Sequence, residues 1–270
     1  MPLVLVNGLA EQPESWFANE RHLARRFDLH IPELLVYDGD ALHDWIDAGN
    51  EITVGYLAGR LSAFLDTLPR RPPYHLVASS LGCQVVLTYA VANPEKVGRI
   101  VLLCPSGFHG DENMPMLDGV RRSRYDSLVG SVFHQARFAD DRLVTAFERK
   151  FADRRWKKGV LKTLRGTVGH SVGPLLHRVD RPTLVIWGAE DRVISDVPGS
   201  IRAGSRIPDV RQVVIPRCGH APQIEKSRLV NRLIERFLND RLGPCPRALD
   251  PARFLDRPGA DATPLLQTTR

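Results

Sequence analysis

A serine flanked by small residues is the first feature of the chain that could do chemistry. Ser80 lies in the segment YHLVASSLGCQVVL, where a short apolar run breaks at small residues and then resumes as a helix-forming run. A strand, a sharp turn and a helix in that order place Ser80 at the apex of the turn, with its hydroxyl exposed as a nucleophile. Ala78 and Gly82 are small enough for the strand and the helix to pass closely. The alternative is an ordinary strand-to-helix turn, in which the serine caps the helix.

Two later segments supply a candidate acid and a candidate base. Asp191 follows the apolar run TLVIWG, and His220 follows the run QVVIP and a glycine. Each lies on a loop just past the end of a predicted strand, which is where parallel sheets gather their chemistry. His220 would take the proton of Ser80, and Asp191 would orient the imidazole. Either residue could instead have only a structural role in its loop, and Glu190 or Asp196 could stand in for Asp191.

The order serine, aspartate, histidine is that of the α/β-hydrolases, and several segments of the chain resemble that family. They are VNGL near the start, ASSLG around Ser80, VIWGAEDRV around Asp191 and RCGHAPQIE around His220. The resemblance implies an α/β-hydrolase fold whose mostly parallel sheet has about six strands, because the two strands that usually open the family are missing. It also implies a serine hydrolase in which Ser80, Asp191 and His220 form the catalytic triad.

The resemblance further implies an oxyanion hole built from backbone N–H groups. One donor would be the N–H of Leu81, directly after the serine and at the start of a helix whose dipole assists. The second would come from the loop after the first strand, where the family commonly has His-Gly and this chain has Asn7-Gly. We expect Leu9 to be that donor, with Ala10 as the alternative. Ser79 is expected to pack or hydrogen-bond locally, so that Ser79→Ala leaves activity mostly intact.

Short apolar runs alternate with helix-forming runs along most of the chain, which predicts a parallel sheet with helices on both faces. From residue 107 to about residue 176 the pattern changes to helical segments, and the resemblance makes this insertion a cap over the active site. Besides the strand and helix around Ser80, the predicted strands are 3–6, 34–37, 99–104, 183–188 and 212–215, and the predicted helices are 20–27, 53–68, 120–133, 141–151, 157–164 and 223–242.

These patterns divide the chain into a core, a cap and a tail. Residues 1–106 and 177–242 are the predicted α/β-hydrolase core, residues 107–176 the helical cap and residues 243–270 the C-terminal tail. The tail is rich in Pro, Asp, Arg and Thr, so we expect it to wrap the surface or to be disordered. Strand 3–6 should lie nearer a sheet edge than is usual in the family, and the tail or a partner chain would shield that edge.

The composition is that of an ordinary globular protein. The 270 residues are 43% apolar and 25% charged, which suits one large α/β domain with a substantial core. No apolar run approaches the ~18 residues of a membrane span, and the start of the chain lacks the basic region of a signal peptide, so we expect a cytoplasmic protein. The cysteines lack metal-type spacing, and three of them fall in core or strand-end segments as small buried hydrophobes. We therefore expect no metal and no cofactor. The cysteines are Cys83, Cys104, Cys218 and Cys245.

The formal net charge of +6 raises the question of an anionic partner. Basic clusters such as Arg121, Arg122 and Arg124 alternate with acidic residues and lack interleaved aromatic residues, which favours solvated helix faces. We expect a small-molecule substrate, no nucleic acid, no membrane and a possible homo-oligomer. A cap that prefers anionic substrates is the alternative.

The leading expectation for the reaction is hydrolysis of a carboxylic ester of a small organic substrate through an acyl-enzyme on Ser80. Hydrolysis of a carbon–carbon bond and acyl transfer or thioester cleavage use the same triad and stay open as alternatives. A noncatalytic receptor that holds a small ligand under the cap is the alternative of a different class. Haloalkane dehalogenases and epoxide hydrolases use an aspartate nucleophile, so Ser80 argues against both.

Overall fold

The computed structural model describes residues 1–109, 124–242 and 250–256. A six-stranded sheet with the strand order β2-β1-β3-β4-β5-β6 lies at its centre, and every neighbouring pair of strands is parallel. This confirms the parallel sheet of six strands that the sequence predicts. The strands are β1 (Pro2–Val6), β2 (Asp28–His30), β3 (Tyr74–Ser79), β4 (Val97–Leu103), β5 (Thr183–Gly188) and β6 (Val210–Ile215).

The central strands are rich in Val, Ile and Leu because both faces of the sheet are covered. Every residue of β1, β3 and β5 is buried. Side chains alternate along β1, so that Val4 and Val6 join one layer of the core while Leu3 and Leu5 join the other. The edge strands β2 and β6 are less buried. Helices on both faces therefore hold the carboxyl ends of the strands in a fixed frame.

The helices connect the strands in the order expected of such a sheet. None of those in the described part of the chain is long and apolar enough to cross a bilayer. They are α1 (Phe17–Leu23), α2 (Asp40–Asp47), α3 (Val54–Asp66), α4 (Leu81–Ala92), α5 (Tyr125–Val132), α6 (Asp141–Ala152), α7 (Arg154–Thr167), α8 (Val197–Gly204), α9 (Pro222–Glu225), α10 (Ser227–Leu238) and α11 (Pro251–Leu255).

The predicted strand at residues 34–37 is wrong. The second strand is instead β2, which pairs with β1. Residues 34–37 form a loop in which Tyr37 is buried and packs edge-on against Trp156 of α7, with 5.5 Å between the ring centroids. The apolar residues that suggested a strand are therefore covered by tertiary contacts rather than by a sheet.

The helices differ from their predicted bounds at several places. The sequence did not predict α2 or α8. The predicted helix 120–133 is seen as α5, and residues 120–123 lie outside the described residues. The predicted last helix 223–242 is two helices, α9 and α10, that are interrupted at Lys226. A β-rich or turn-rich flank hides such short helices from a periodicity argument.

The described part of the C-terminal tail lies away from the sheet edge near β1. Strand β1 is second in the sheet and is paired on its outer side by β2. The described part of the tail, α11, lies beside β6 at the opposite edge, where Phe254 is buried in the core. The predicted role at the β1 edge is therefore wrong for α11, and residues 243–249 and 257–270 lie outside the described residues.

Candidate active site

Ser80 lies in a strained turn between β3 and α4. Its backbone has φ 49° and ψ −119°, and its side chain makes no capping hydrogen bond to the helix. The N–H of Ser80 donates to the carbonyl of Leu103 at 3.0 Å. A Cβ atom at Gly82 would lie 2.5 Å from the carbonyl oxygen of Asn7, so only glycine lets the helix pass the β1 loop this closely. The helix-capping alternative is therefore wrong, and the hydroxyl of Ser80 is available for other work.

Asp191 and His220 meet at the ends of β5 and β6. The Nδ1 atom of His220 lies 2.8 Å from Oδ2 of Asp191, and the two side chains are 7% and 0% exposed. Oδ1 of Asp191 accepts the N–H groups of Val193 at 2.8 Å and Ile194 at 3.1 Å. Since an ionised carboxylate only accepts, the proton of a neutral imidazole belongs on Nδ1, which leaves Nε2 as an acceptor.

The two acids that could stand in for Asp191 have other partners. Oε2 of Glu190 accepts the N–H of Cys218 at 2.9 Å. Oδ1 of Asp196 accepts the N–H of Gly199 at 2.7 Å and caps the start of α8. Among these neighbouring acids, Asp191 is thus the one that the fold brings to the imidazole.

Backbone donors for an oxyanion border the same cavity as Ser80. Leu9 and Leu81 both line it, and no hydrogen bond within the described chain engages the N–H of either residue. The N–H of Ala10 donates instead to the hydroxyl of Tyr37 at 3.1 Å. Ala10 is therefore a poor candidate for the second donor, and Leu9 is the better one.

The cavity between the strand-end loops and helices α5–α7 has a volume of about 530 Å³. Ser80 and His220 both line it. This size suits a small organic ligand, since such sites usually measure about 300–1,000 Å³. The helices contribute a mostly apolar wall that includes Leu128, Val129, Leu143, Phe147, Trp156 and Leu164.

Cys104 lies next to the paired side chains of Asp191 and His220, which raises the question of a metal site. One ligand atom each of Cys104, Asp191 and His220 lie within 4.8 Å of one another. Burial raises the pKa of Cys104 well above its ordinary value, so the thiolate that a metal requires is disfavoured. The Nδ1 atom of His220 is also engaged by Asp191. The cluster is therefore better suited to holding Asp191 than to holding an ion.

Three of the four cysteines lie in the described part of the chain. Cys83, Cys104 and Cys218 are buried and form no disulfide within the described residues, which confirms their interpretation as small core residues. Burial raises the pKa of the Cys218 thiol above its ordinary value. Cys245 lies outside the described residues.

Glu11 is a residue of the site that the sequence did not single out. Its carboxylate lines the cavity, and burial raises its pKa above the ordinary value. The only local signal is an acidic residue two positions after the expected oxyanion donor, which by itself is unremarkable in a loop. Only the fold brings its hydrogen-bond partners to it.

The fold and the strand-end site define the class of protein. A profile of the alpha/beta hydrolase fold family matches residues 1–227. The chain therefore belongs to the α/β-hydrolase fold family.

Among curated relatives, the chain is similar to enzymes of two kinds. It is 30% identical over 179 residues, 61% of each chain, to a 2-hydroxy-6-oxononadienedioate/2-hydroxy-6-oxononatrienedioate hydrolase of Paraburkholderia xenovorans. It is 20% identical over 256 residues, 87% of this chain and 74% of the relative, to the human monoacylglycerol lipase ABHD6. The chain thus spans less than two thirds of the length of the first of these relatives.

Solved structures show the same fold. A meta-cleavage product hydrolase from Pseudomonas fluorescens superposes with a TM-score of 0.72 at 18% identity, over 90% of this chain and 92% of that chain. At this level of identity the likeness extends to the fold alone.

Proposed function

We propose that the chain is a serine hydrolase that cleaves a carboxylic ester of a small organic substrate. One observation carries the proposal: Ser80, on a strained turn with an uncapped side chain, lines the same cavity as an imidazole that is paired with a buried carboxylate. An adjacent base and an orienting acid are what a serine hydroxyl needs to become a nucleophile. We assign Ser80, His220 and Asp191 as the triad.

In the first half of the reaction, Oγ of Ser80 attacks the ester carbonyl carbon while Nε2 of His220 takes the hydroxyl proton. Asp191 holds the imidazole through Nδ1 and stabilises the imidazolium. The carbonyl oxygen becomes an oxyanion, which we assign to the N–H groups of Leu9 and Leu81. The tetrahedral intermediate then expels the alcohol, which receives its proton from His220 and leaves an acyl-enzyme.

In the second half, a water molecule replaces the alcohol. His220 takes a proton from the water, and the resulting hydroxide attacks the acyl carbon. The tetrahedral intermediate then collapses: its bond to Oγ of Ser80 breaks, His220 returns the proton to Oγ, and a carboxylic acid leaves. The apolar wall of the cavity supports an acyl or alkyl group as the buried part of the substrate. No cofactor enters either step.

Helices α5–α7 lie between β4 and β5 and line the cavity. We therefore propose that residues 107–176 form the cap and that residues 1–106 and 177–242 form the core. We also propose a cytoplasmic location and a small-molecule substrate, with no nucleic acid or membrane as partner. A homo-oligomer is possible.

Carbon–carbon bond hydrolysis is the second candidate, because relatives named for cleaving oxo-dienedioates share the family. Arg137 and Lys150 border the cavity and offer charge for a substrate carboxylate. Acyl transfer or thioester cleavage would need the same groups and a cavity that admits a thiol or a second acceptor. A noncatalytic receptor would need only the cavity.

Turnover of p-nitrophenyl acetate and butyrate, followed at 25 °C with wild type and Ser80→Ala, tests the proposal. We expect a burst of p-nitrophenol from wild type and a loss of about 10⁶ in kcat for the variant, as in other serine hydrolases. A vinylogous 2-hydroxy-6-oxo-dienoate and an acyl thioester, assayed in parallel, separate the second candidates. No turnover of any of these by wild type, together with no fluorophosphonate labelling of Ser80, would leave the receptor as the better account.

A further inference from the structure

A carboxylate next to the expected oxyanion donor has no part in the steps above. Glu11 lies on the loop after β1 and lines the cavity with Ser80. Its Oε2 atom accepts the N–H of Gly8 at 3.0 Å, and its Oε1 atom accepts the hydroxyl of Ser79 at 3.1 Å. Burying a carboxylate is unfavourable unless its oxygens are paired, so its presence here calls for a reason beyond solubility.

The first reason is the position of the N–H that Glu11 holds. Gly8 directly precedes Leu9, and Ala10 directly follows it. The N–H of Gly8 donates to Glu11, and the N–H of Ala10 donates to Tyr37 at 3.1 Å. With the N–H groups on both sides anchored, the remaining dihedral freedom of the loop is small, and the free N–H of Leu9 is held in one direction.

The second reason is the contact with the nucleophile's turn. Ser79 immediately precedes Ser80 and is fully buried, and its hydroxyl also accepts the side-chain amide of Gln223 at 3.4 Å. Glu11 therefore links the β1 loop to the turn that carries Leu81, so one carboxylate contacts the supports of both expected oxyanion donors.

The third reason is how tightly the loop lies against Ser80. A Cβ atom at Gly8 would be 2.9 Å from Oε1 of Glu11 and 3.0 Å from Cβ of Ser80. Only a residue without a Cβ therefore fits between the carboxylate and the nucleophile. A displacement of the loop would move Leu9 relative to Ser80, and catalysis is sensitive to shifts of that size.

We propose that Glu11 is a positioning residue that fixes the loop of Leu9 against the turn of Ser80 and so sets the spacing of the two oxyanion donors. This inference rests on the proposed serine hydrolase function. In this role Glu11 acts by accepting hydrogen bonds and not through its charge, because a negative charge beside an oxyanion would oppose the formation of the oxyanion.

Three variants separate acceptance from charge. Glu11→Ala removes both bonds, Glu11→Gln keeps a neutral acceptor for Gly8, and Ser79→Ala removes only the bond to the turn. We expect Glu11→Ala to lower kcat for p-nitrophenyl butyrate by about 10²–10³ with little change in KM, as does loss of an oxyanion-hole donor. Glu11→Gln should restore kcat to within about tenfold of wild type. Ser79→Ala keeps the bond to Gly8 and loses only the link to the turn, so it should lower kcat about tenfold, more than the sequence alone predicts.

A trifluoromethyl ketone supplies the readout that a general loss of structure would not give. It adds to Ser80 as a tetrahedral oxyanion, so its affinity should fall in Glu11→Ala by a factor similar to that for kcat, while the affinity for the product acid stays unchanged. Thermal unfolding checks that each variant is folded. If Glu11→Ala does not fold, Glu11→Asp shortens the side chain by one methylene, so that it cannot hold both Gly8 and Ser79, and should lower kcat about tenfold at unchanged KM.

Wild-type activity in Glu11→Ala, or in Glu11→Asp where that variant is the one that folds, would overturn the inference while leaving the proposed function in place. An equal loss in Glu11→Gln and Glu11→Ala would also overturn it, since charge rather than acceptance would then matter. Wild type without turnover and without fluorophosphonate labelling would overturn the proposed function and this inference with it.

Discussion

The strand-end loops and the helices α5–α7 enclose one cavity but are held together in different ways. In the loops, backbone groups and short side chains form directed hydrogen bonds, as where Asp191 accepts two N–H groups and contacts His220 at 2.8 Å. In the helices, contacts are apolar and aromatic. Phe151 packs against Tyr125, Phe147 and Trp156, with ring centroids 5.1, 6.3 and 4.7 Å away.

The difference shows how the two regions divide the work. Hydrogen bonds weaken steeply when distance or angle changes, so the loops hold atoms where a reaction needs them. Apolar packing tolerates replacements that conserve volume. Substitutions in the helices can therefore change the shape of the cavity without moving the loops. We expect substitutions in the loops to change the rate on all substrates and those in the helices to change which substrate is preferred.

After Ser80→Ala, the largest expected effect tests the loops. Asp191→Asn should lower kcat by about 10⁴, because an amide in place of the carboxylate favours the wrong imidazole tautomer, as in other triads. Steady-state kinetics with a p-nitrophenyl ester measures this, and KM should change little.

Glu190→Gln is the matched control for that variant. Its side chain lies next in sequence and contacts the N–H of Cys218 rather than the imidazole, so kcat should stay within a few-fold of wild type. A loss in Glu190→Gln as large as that in Asp191→Asn would contradict the assignment of Asp191.

A middle-sized effect tests the helices. Phe147 is partly buried and lines the cavity, so Phe147→Ala enlarges the space for an acyl chain. We expect the ratio of kcat/KM for octanoate over acetate esters to rise about tenfold, within the range for a few methylene groups in an apolar pocket. Val168→Ala, at a residue 41% exposed, is the control. Equal losses on both esters in Phe147→Ala would break the division between the two regions.

The smallest expected effect concerns the stability of the loop that carries Glu11. Burial raises the pKa of Glu11, so the folded protein binds this proton more tightly than the unfolded chain does. Its stabilising contribution is therefore full below the unfolded pKa and is lost as the pH rises through the folded pKa. The glutamine in Glu11→Gln does not titrate, so this variant does not lose stability at that position as the pH rises. It should melt at a higher temperature than wild type at about pH 8, and the difference in melting temperature should vanish near pH 4.

Melting curves across that pH range measure the effect, with Glu14→Gln as the control at an exposed residue of the 3₁₀ helix that follows the loop. A difference between wild type and Glu11→Gln that does not depend on pH would show that the titration of Glu11 is not its source.

Several parts of the fold could be predicted because their signals are local. An apolar run followed by small residues and a helix-forming run indicates the turn of Ser80, and similar runs precede Asp191 and His220. The parallel sheet follows from the same alternation, and its number of about six strands from the resemblance to the family. The strand predicted at residues 34–37 failed because Tyr37 is covered by Trp156, which lies far along the chain.

The sequence by itself determined the family, five of the six strands and the three residues proposed for the triad. Only the tertiary structure decided which of the neighbouring acids contacts His220. It also decided that the N–H of Ala10, and not that of Leu9, is bonded within the described residues, and that Glu11 contacts Ser79, 68 positions along the chain. The physical reason is that periodicity and turn chemistry depend on neighbours in sequence, whereas a hydrogen bond across the site depends on how distant strands are packed to within a few tenths of an ångström.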